Sequence, residues 1–131
     1  MVIDTSALLA LLQDEPSAPA LRLALAEDPV RLISTVSVLE ATCVLCARRG
    51  PGVLPELALF LMEFRLEKAP FDGPQLELAQ SAWVRYGRGR HPARLNFGDC
   101  AAYALAQAAG EPLLFAGSGF SQTDVPAVRW A

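Results

Sequence analysis

Short apolar runs alternate along the chain with longer stretches in which apolar residues recur at helical spacing. The short runs predict strands or extended segments at Val2–Ile3 and at residues 31–33, 67–70, 112–116 and 125–130. The longer stretches predict helices at residues 7–12, between Pro16 and Asp28, and at residues 36–48, 54–66, 75–86 and Phe97–Ala109. This alternation is typical of an α/β domain with a parallel sheet and crossover helices.

Polar residues and glycines mark the ends of these segments. Ser34 and Thr35 can cap the helix that follows the second strand, and Asn96 can cap the helix that ends before Gly110. The chain has 131 residues, which predicts one domain over residues 1–131.

The composition indicates that part of the surface is covered by another protein chain. Hydrophobic residues make up 53% of the chain and the mean hydropathy is +0.30, so we expect some apolar surface to be covered by a second copy or another protein. The net charge of −3 excludes a polycation that binds nucleic acid through bulk charge, so any such contact needs a local basic patch.

The sequence predicts a cytoplasmic protein without a membrane segment. It has no secretory pattern at its start and no apolar run long enough to span a bilayer, and its three cysteines are an odd count. Cys43 and Cys46 form a C-x-x-C pair on the apolar side of a predicted helix. Zinc would also need Cys100 and His91, so a buried structural pair is the favoured interpretation.

The candidate chemistry is acidic, because the chain has one histidine and none of the glycine-rich phosphate loops or serine nucleophile motifs. Asp4 ends the first strand, Glu40 lies in the first turns of the helix after the second strand, and Asp99 lies in the first turn of a later helix. Strand ends and the following helix N-termini share one edge of an α/β sheet. Clustered carboxylates there favour Mg²⁺ or Mn²⁺, which can activate water against a phosphodiester.

Each carboxylate also has a purely structural interpretation. Asp4 could only cap a helix, Asp99 could be the acidic third residue of a capping box, and Glu40 could pair with Ser37 in an S-x-x-E box. Their matching positions in successive strand–helix units favour the functional interpretation.

A basic segment precedes Asp99. It contains Arg85, Arg88, Arg90 and Arg94, and no acidic residue occurs between Glu77 and Asp99. The alternatives are a solvated loop and a phosphate-binding rim for RNA, of which we favour the rim. Tyr86 and His91 could stack on a base there.

Four parts of the sequence match a known family in order and spacing. They are Val2-Ile3-Asp4-Thr5-Ser6-Ala7, Glu40, Asn96-Phe97-Gly98-Asp99-Cys100, and Leu-Phe-Ala-Gly-Ser-Gly-Phe-Ser-Gln-Thr-Asp at residues 114–124. Together they resemble PIN domains, most of all the VapC toxins of toxin–antitoxin pairs. The resemblance implies a three-layer sandwich with a short, mostly parallel sheet. It also implies an Mg²⁺- or Mn²⁺-dependent endoribonuclease that is usually a homodimer and is inhibited by a small antitoxin protein.

Carried over by position, Asp4, Glu40 and Asp99 would be catalytic, metal-binding carboxylates. Thr5 or Ser6 would place a hydroxyl near the metal or phosphate, and Asn96 would fix the start of its helix. The family's usual acidic residue before the last motif's Phe is absent, because that position is Gly119. Asp124 is the nearby candidate for a fourth ligand.

Three functional hypotheses follow. The first is an active toxin ribonuclease, and the second is a catalytically weakened PIN protein that acts by binding an antitoxin, as Gly119 suggests. The third is a phosphotransfer receiver domain with Asp4 as acceptor. It is disfavoured, because it needs a second acid beside Asp4 and a lysine near the last strands, and the only lysine is Lys68.

Overall fold

A parallel sheet forms the centre of the molecule. The computed structural model describes residues 1–130, and its sheet has the strand order β3-β2-β1-β4. The strands are β1 (Val2–Ile3), β2 (Leu32–Ser34), β3 (Glu67–Ala69) and β4 (Leu113–Leu114). Every pair of neighbours is parallel, with Val2 opposite both Leu32 and Leu113.

Six α-helices connect these strands within residues 1–130. They are α1 (Thr5–Leu12), α2 (Ala18–Glu27), α3 (Thr35–Arg49), α4 (Leu54–Glu63), α5 (Gly73–Tyr86) and α6 (Phe97–Ala109). Short 3₁₀ turns occur at Pro51–Val53 and Phe120–Gln122.

The two faces of the sheet are covered by different helices. Ile3, Ile33 and Leu114 pack into a core with α1, α2, α3 and α4. Val2 and Leu113 point the opposite way, as successive strand residues must, and pack into a second core with α5 and α6. The result is a three-layer α/β/α sandwich, as the family resemblance implies.

Capping residues fix the helix ends nearest the carboxylates. Asp4 caps α1, Ser34 caps α3, and Asn96 caps α6 in a full capping box with Asp99. Gly110 ends α6 with φ 64°, a left-handed conformation that glycine adopts without a Cβ clash. The prediction for α6 is therefore confirmed at both ends.

Several element bounds differ from the sequence prediction, most clearly at the end of α4 and in the C-terminal segment. Helix α4 ends at Glu63 rather than at residue 66, because Arg65 has φ 53° and turns the chain into β3. Residues 125–130 form an isolated parallel bridge between Ala127 and Leu113 instead of a full strand. Trp130 fixes this segment by donating from Nε1 to the carbonyl oxygen of Phe115 at 3.0 Å.

The cysteine prediction is wrong in one respect. Cys43 is exposed and Cys46 is half-buried, so the pair does not lie in the core, although Cys100 is buried. All three are free thiols. No helix in residues 1–130 is long and apolar enough to cross a membrane.

Candidate metal and nucleic-acid site

Asp4 lies at the carboxyl end of β1 and is almost fully buried, with 2% of its surface exposed. Its Oδ2 accepts hydrogen bonds from the Ser6 backbone N at 3.0 Å and from Ser6 Oγ at 2.6 Å. Its Oδ1 is buried and has no hydrogen-bond partner within residues 1–130. Most buried polar atoms are paired, so this oxygen needs an explanation.

Burial raises the pKa of Asp4 to about 7, and the negative charges of Asp99 and Glu40 add to the shift. The two hydrogen bonds from Ser6 oppose it. A carboxyl group held in this way lacks a positive neighbour, and a cation at the unpaired oxygen would supply one.

The hydroxyls beside Asp4 connect three elements. Ser6 Oγ donates to Asp4 and accepts from the Ala116 backbone N at 3.0 Å, which ties the ends of β1 and β4 together. Thr5 Oγ1 instead donates to the carbonyl oxygen of Ser37 on α3 at 3.4 Å. Ser6 therefore orients the Asp4 carboxylate, and Thr5 links α1 to α3.

Glu40 lies on α3, and its carboxylate rests against the first turn of α6. A Cβ on Gly98 would overlap both carboxyl oxygens and the carboxyl carbon of Glu40. The alternative of an S-x-x-E box is wrong, because Ser34 rather than Ser37 caps α3, and Ser37 Oγ has no partner in the described chain.

Asp99 completes a capping box and also lies near the other two carboxylates. Its Oδ2 accepts from the Asn96 backbone N at 2.9 Å, and Asn96 Oδ1 accepts from the Asp99 N at 2.9 Å, which completes the capping box. Burial raises the pKa of Asp99 and nearby Glu40 raises it further, whereas Arg88 lowers it. Asp99 thus belongs to the same electrostatic group as Asp4 and Glu40.

These three carboxylates share one edge but do not form a closed cage. Over residues 1–130, no three His, Cys, Asp or Glu side chains are arranged to hold an ion by themselves. Mg²⁺ needs no such cage, since it keeps several waters and is commonly bound by one or two carboxylates. The buried, unpaired Asp4 oxygen and the acidic surroundings therefore fit a hydrated divalent cation.

Asp124 lies in a different cluster. Its Oδ1 accepts from the Tyr103 hydroxyl at 2.6 Å, and its Oδ2 pairs with Arg85 Nη2 at 3.4 Å. These contacts lower the pKa of Asp124, the hydrogen bond from Tyr103 most of all. Arg85 also donates to the Tyr86 hydroxyl at 2.7 Å. Both oxygens of Asp124 thus have protein partners, unlike Asp4 Oδ1.

The other candidate arginines surround a separate cavity. Arg88, Arg90 and Arg94 line a hollow of about 500 Å³ together with His91. None of these three arginines is ion-paired with a carboxylate in residues 1–130, whereas Arg85 is. The stacking prediction for Tyr86 is not supported, because this residue is 8% exposed and its ring packs edge-on against His91.

Gly119 precedes the 3₁₀ turn of the last motif. Its backbone is right-handed helical, with φ −59° and ψ −53°, so a positive φ is not the reason for glycine here. A Cβ at this position would lie 3.1 Å from the carbonyl oxygen of Ala93, which is a tight contact.

An apolar groove of about 640 Å³ adjoins the carboxylate edge between α3, α5 and α6. Val84 and Phe97 line it and are 64% and 82% exposed, and Trp83 also borders it. Arg88 and Asn96 also line the groove, and both act on Asp99: Arg88 lowers its pKa and the Asn96 backbone N donates to its Oδ2. Exposed apolar surface of this kind is typical of a contact with another protein.

Known proteins share both this sequence and this fold. The PIN domain family matches residues 1–126. Ribonuclease VapC of Mycolicibacterium smegmatis is 51% identical over 129 residues, which cover 98% of this chain and 100% of that protein. Ribonuclease VapC30 of Mycobacterium tuberculosis is 45% identical over 128 residues and is covered to 98%, as is this chain.

Two crystal structures share the fold. VapC20 of Mycobacterium tuberculosis, a sarcin-ricin loop cleaving toxin, has a TM-score of 0.78 at 19% identity and covers 98% of both chains. VapBC2 of Rickettsia felis, bound to a DNA fragment from its promoter, has a TM-score of 0.74 at 17% identity over 99% of this chain and 98% of that one. The chain therefore belongs to the PIN-domain family and, within it, to the VapC proteins.

Sequence reasoning missed two residues of this region. Tyr103 carried no motif and becomes notable only through its hydrogen bond to Asp124. Gly98 did carry a signal in the sequence. Glycine lowers helix stability relative to alanine, so a glycine in the first turn of a well-capped helix suggests that another group lies close to its Cα.

Proposed function

We propose that this chain is a metal-dependent endoribonuclease, the toxin of a toxin–antitoxin pair, which hydrolyses RNA phosphodiester bonds with Mg²⁺ or Mn²⁺. The observation that carries the proposal is the buried, unpaired Oδ1 of Asp4 at an edge shared with Glu40 and Asp99. The names of the ribonuclease relatives and of the toxin VapC20 support the same activity.

Asp4, Glu40 and Asp99 would hold the ion, and Ser6 would keep the Asp4 carboxylate oriented through its hydroxyl and backbone N. When bound, the ion would lower the pKa of a water and stabilise negative charge on the phosphodiester. Asn96 would position Asp99 through the capping box. Thr5 contributes by tying α1 to α3, so its hydroxyl supports the site indirectly.

We propose that the unpaired arginines Arg88, Arg90 and Arg94 bind RNA phosphates. They lie in the loop directly before the Asn96–Asp99 motif and would counter the acidity of the neighbouring edge. Arg85 contributes less, because its guanidinium is already engaged by Asp124 and Tyr86.

We propose two protein partners in the cytoplasm, a cognate antitoxin and a second copy of this chain. The antitoxin is supported by the VapBC2 complex, which has the same fold. An acidic edge with raised carboxyl pKa values is suited to receive a basic side chain from such an inhibitor. The homodimer is supported by the exposed apolar groove.

The dimer is tested by placing a charge in the groove. Val84→Asp should shift the protein toward monomer in light scattering at tens of micromolar, because a buried unpaired carboxylate is costly. Leu23→Asp is the matched control, since Leu23 is 69% exposed on α2, outside the groove. A wild-type protein that is monomeric under these conditions would contradict the dimer.

The second candidate function is an inactive or weakened PIN protein that acts by binding its antitoxin. Gly119 supports it because this position supplies no carboxylate, and the contacts of Asp124 support it because that residue is already engaged. This protein would bind the antitoxin but leave RNA intact.

Cleavage of RNA separates the two candidates. Purified protein should cut total RNA in the presence of Mg²⁺ or Mn²⁺ and not in excess chelator, and mapping the new ends would identify the target. The variant Glu40→Gln, which retains the size of the side chain, should lose the cleavage. Absence of metal-dependent cleavage in otherwise folded, antitoxin-free protein would favour the second candidate.

A further inference from the structure

Helix α6 comes close to the Glu40 side chain of α3 at Gly98. This residue is the second of α6 and is buried. If it carried a side chain, its Cβ would lie closer than 3.0 Å to three atoms of the Glu40 carboxyl group. Glu40 reaches this place from α3, a separate element on the opposite face of the sheet.

The backbone does not require glycine here. Gly98 has no positive φ, unlike Gly50, Gly89, Gly110 and Gly117. A glycine inside a helix lowers its stability relative to alanine, and α6 already has a full capping box that fixes its start. The one feature that glycine alone provides at this position is room for the carboxylate.

We propose that Gly98 is a positioning residue that sets where the Glu40 carboxylate lies relative to Asp4 and Asp99. Because residue 98 has no Cβ, the Glu40 carboxyl group can pack directly against the first turn of α6. The inference rests on the function proposed above and adds a residue that does not itself touch metal or RNA.

We expect a methyl group at residue 98 to displace the Glu40 side chain while leaving the protein folded. The three nearest atoms that it would meet all belong to the far end of one flexible side chain, that of Glu40. Glu40 is half-buried, so its carboxylate can swing toward solvent at little cost. The expected result is an intact protein whose Glu40 has left the carboxylate edge.

The first experiment compares Gly98→Ala with Gly73→Ala. Gly73 is in the first turn of α5, has no positive φ and has open space around it, so it is a matched control. Both variants should stay folded, with melting temperatures close to that of the wild type. In calorimetry, Gly98→Ala should bind Mn²⁺ about 10- to 100-fold more weakly, the range for loss of a residue that supports a ligand, while Gly73→Ala binds as wild type.

A double-mutant cycle with Glu40→Ala tests whether Gly98 acts through Glu40. The protein with both substitutions should bind Mn²⁺ as Glu40→Ala alone does. If Glu40→Ala weakens binding but Gly98→Ala does not, the inference fails while the proposed function stands. If Glu40→Ala binds Mn²⁺ as wild type does, Glu40 is not a ligand, and both the ligand set and the inference fail.

If Gly98→Ala lowers stability, a second comparison in the Glu40→Asp protein still tests whether residue 98 acts through the carboxylate at residue 40. The carboxylate of Glu40→Asp stops one methylene short of the added Cβ. The Gly98→Ala change should therefore cost less Mn²⁺ affinity in the Glu40→Asp protein than in wild type. An equal cost in both proteins would overturn the inference, since residue 98 would then act independently of the carboxylate at residue 40.

Discussion

Asp4 and Asp124 are aspartates in two regions of the molecule, and their surroundings are opposite. Asp124 has a tyrosine hydroxyl on one oxygen and a guanidinium on the other, and its pKa is lowered. Asp4 has one oxygen without a partner, two acidic neighbours and a pKa raised to about 7. The two side chains have the same chemistry, so the difference arises entirely from neighbours that come from other elements.

This difference suggests a structural role for Asp124 and a chemical role for Asp4. Both oxygens of the Asp124 carboxylate are hydrogen-bonded, one to Arg85 and one to Tyr103. These contacts also connect the last motif to α5 and α6. The Asp4 edge is incomplete and gains from a cation. An unsatisfied carboxylate at the carboxyl end of a parallel strand is the one to test for catalysis, and a satisfied carboxylate is the one to test for stability.

The largest expected effect comes from Asp4→Asn. This change keeps the size of the side chain but removes its charge, so metal-dependent RNA cleavage should fall by at least about 100-fold while the fold is retained. Cleavage rates on total RNA and a melting curve provide the measurement. Full activity in a folded Asp4→Asn protein would refute the carboxylate site.

The matched change on the other side of the comparison is Asp124→Asn. It should cost about 1 kcal/mol in the free energy of unfolding, because a partly exposed charge-assisted hydrogen bond is weakened, and should leave Mn²⁺ affinity unchanged. Denaturant unfolding and calorimetry measure the two quantities. Loss of Mn²⁺ binding at unchanged stability would place Asp124 among the metal ligands instead.

The raised pKa of Asp4 predicts how stability depends on pH without metal. Below about pH 4 the carboxyl is protonated in both folded and unfolded chains. Between about pH 4 and the folded pKa of about 7, Asp4 is ionised in the unfolded chain but still protonated in the folded one. The free energy of unfolding therefore falls as pH rises through this range, and it falls no further above about pH 7. Its upper limit is on the order of 4 kcal/mol.

Asp4→Asn should therefore raise the melting temperature of metal-free protein at pH 8 and have little effect at pH 4. Saturating Mn²⁺ should remove this advantage, because the ion stabilises the ionised carboxylate of wild type. Equal melting temperatures of the two metal-free proteins at pH 8 would show that Asp4 ionises without penalty.

The arginine loop gives a smaller, salt-dependent effect. Replacing Arg88 and Arg90 with Ala should weaken RNA binding and reduce the slope of log affinity against log salt, because fewer phosphates are neutralised. Mn²⁺ affinity should change little. Arg22→Ala on α2 is a control for general loss of positive charge. An unchanged slope would remove this loop from the RNA-binding surface.

The smallest effect is expected from Gly119→Asp, which adds the acidic residue that the family usually has. The right-handed backbone accepts Asp, and its Cβ needs only a slight shift of the Ala93 carbonyl. We expect tighter Mn²⁺ binding and faster cleavage, because the added carboxylate brings a further negative oxygen ligand to the acidic edge. No gain in either assay would mean that the site is complete with glycine.

Local signals predicted the segments that are fixed locally. Helix α6 is correct at both ends because Asn96 and Gly110 determine its start and end through short-range contacts. The end of α4 was missed because the apolar pattern continues through Leu66, while the chain is turned by the left-handed Arg65.

The proximity of the three carboxylates could be predicted from strand ends and helix starts, whereas contacts between side chains of different elements could not. Asp4, Glu40 and Asp99 could be grouped from their positions after strands and at helix starts. The partners of Asp124 could not be foreseen, because Tyr103 and Arg85 come from two helices whose mutual packing is a tertiary property. The contact of Gly98 with Glu40 is hidden for the same reason.

The two tryptophans of this chain are natural optical probes of separate regions. Trp83 borders the exposed groove, so its fluorescence will respond when a protein covers that face. Trp130 donates to the Phe115 carbonyl beside the end of β4, so its emission follows whether the C-terminal segment is attached to the sheet. Single Trp→Phe variants therefore separate partner binding from loosening of that segment without any added label.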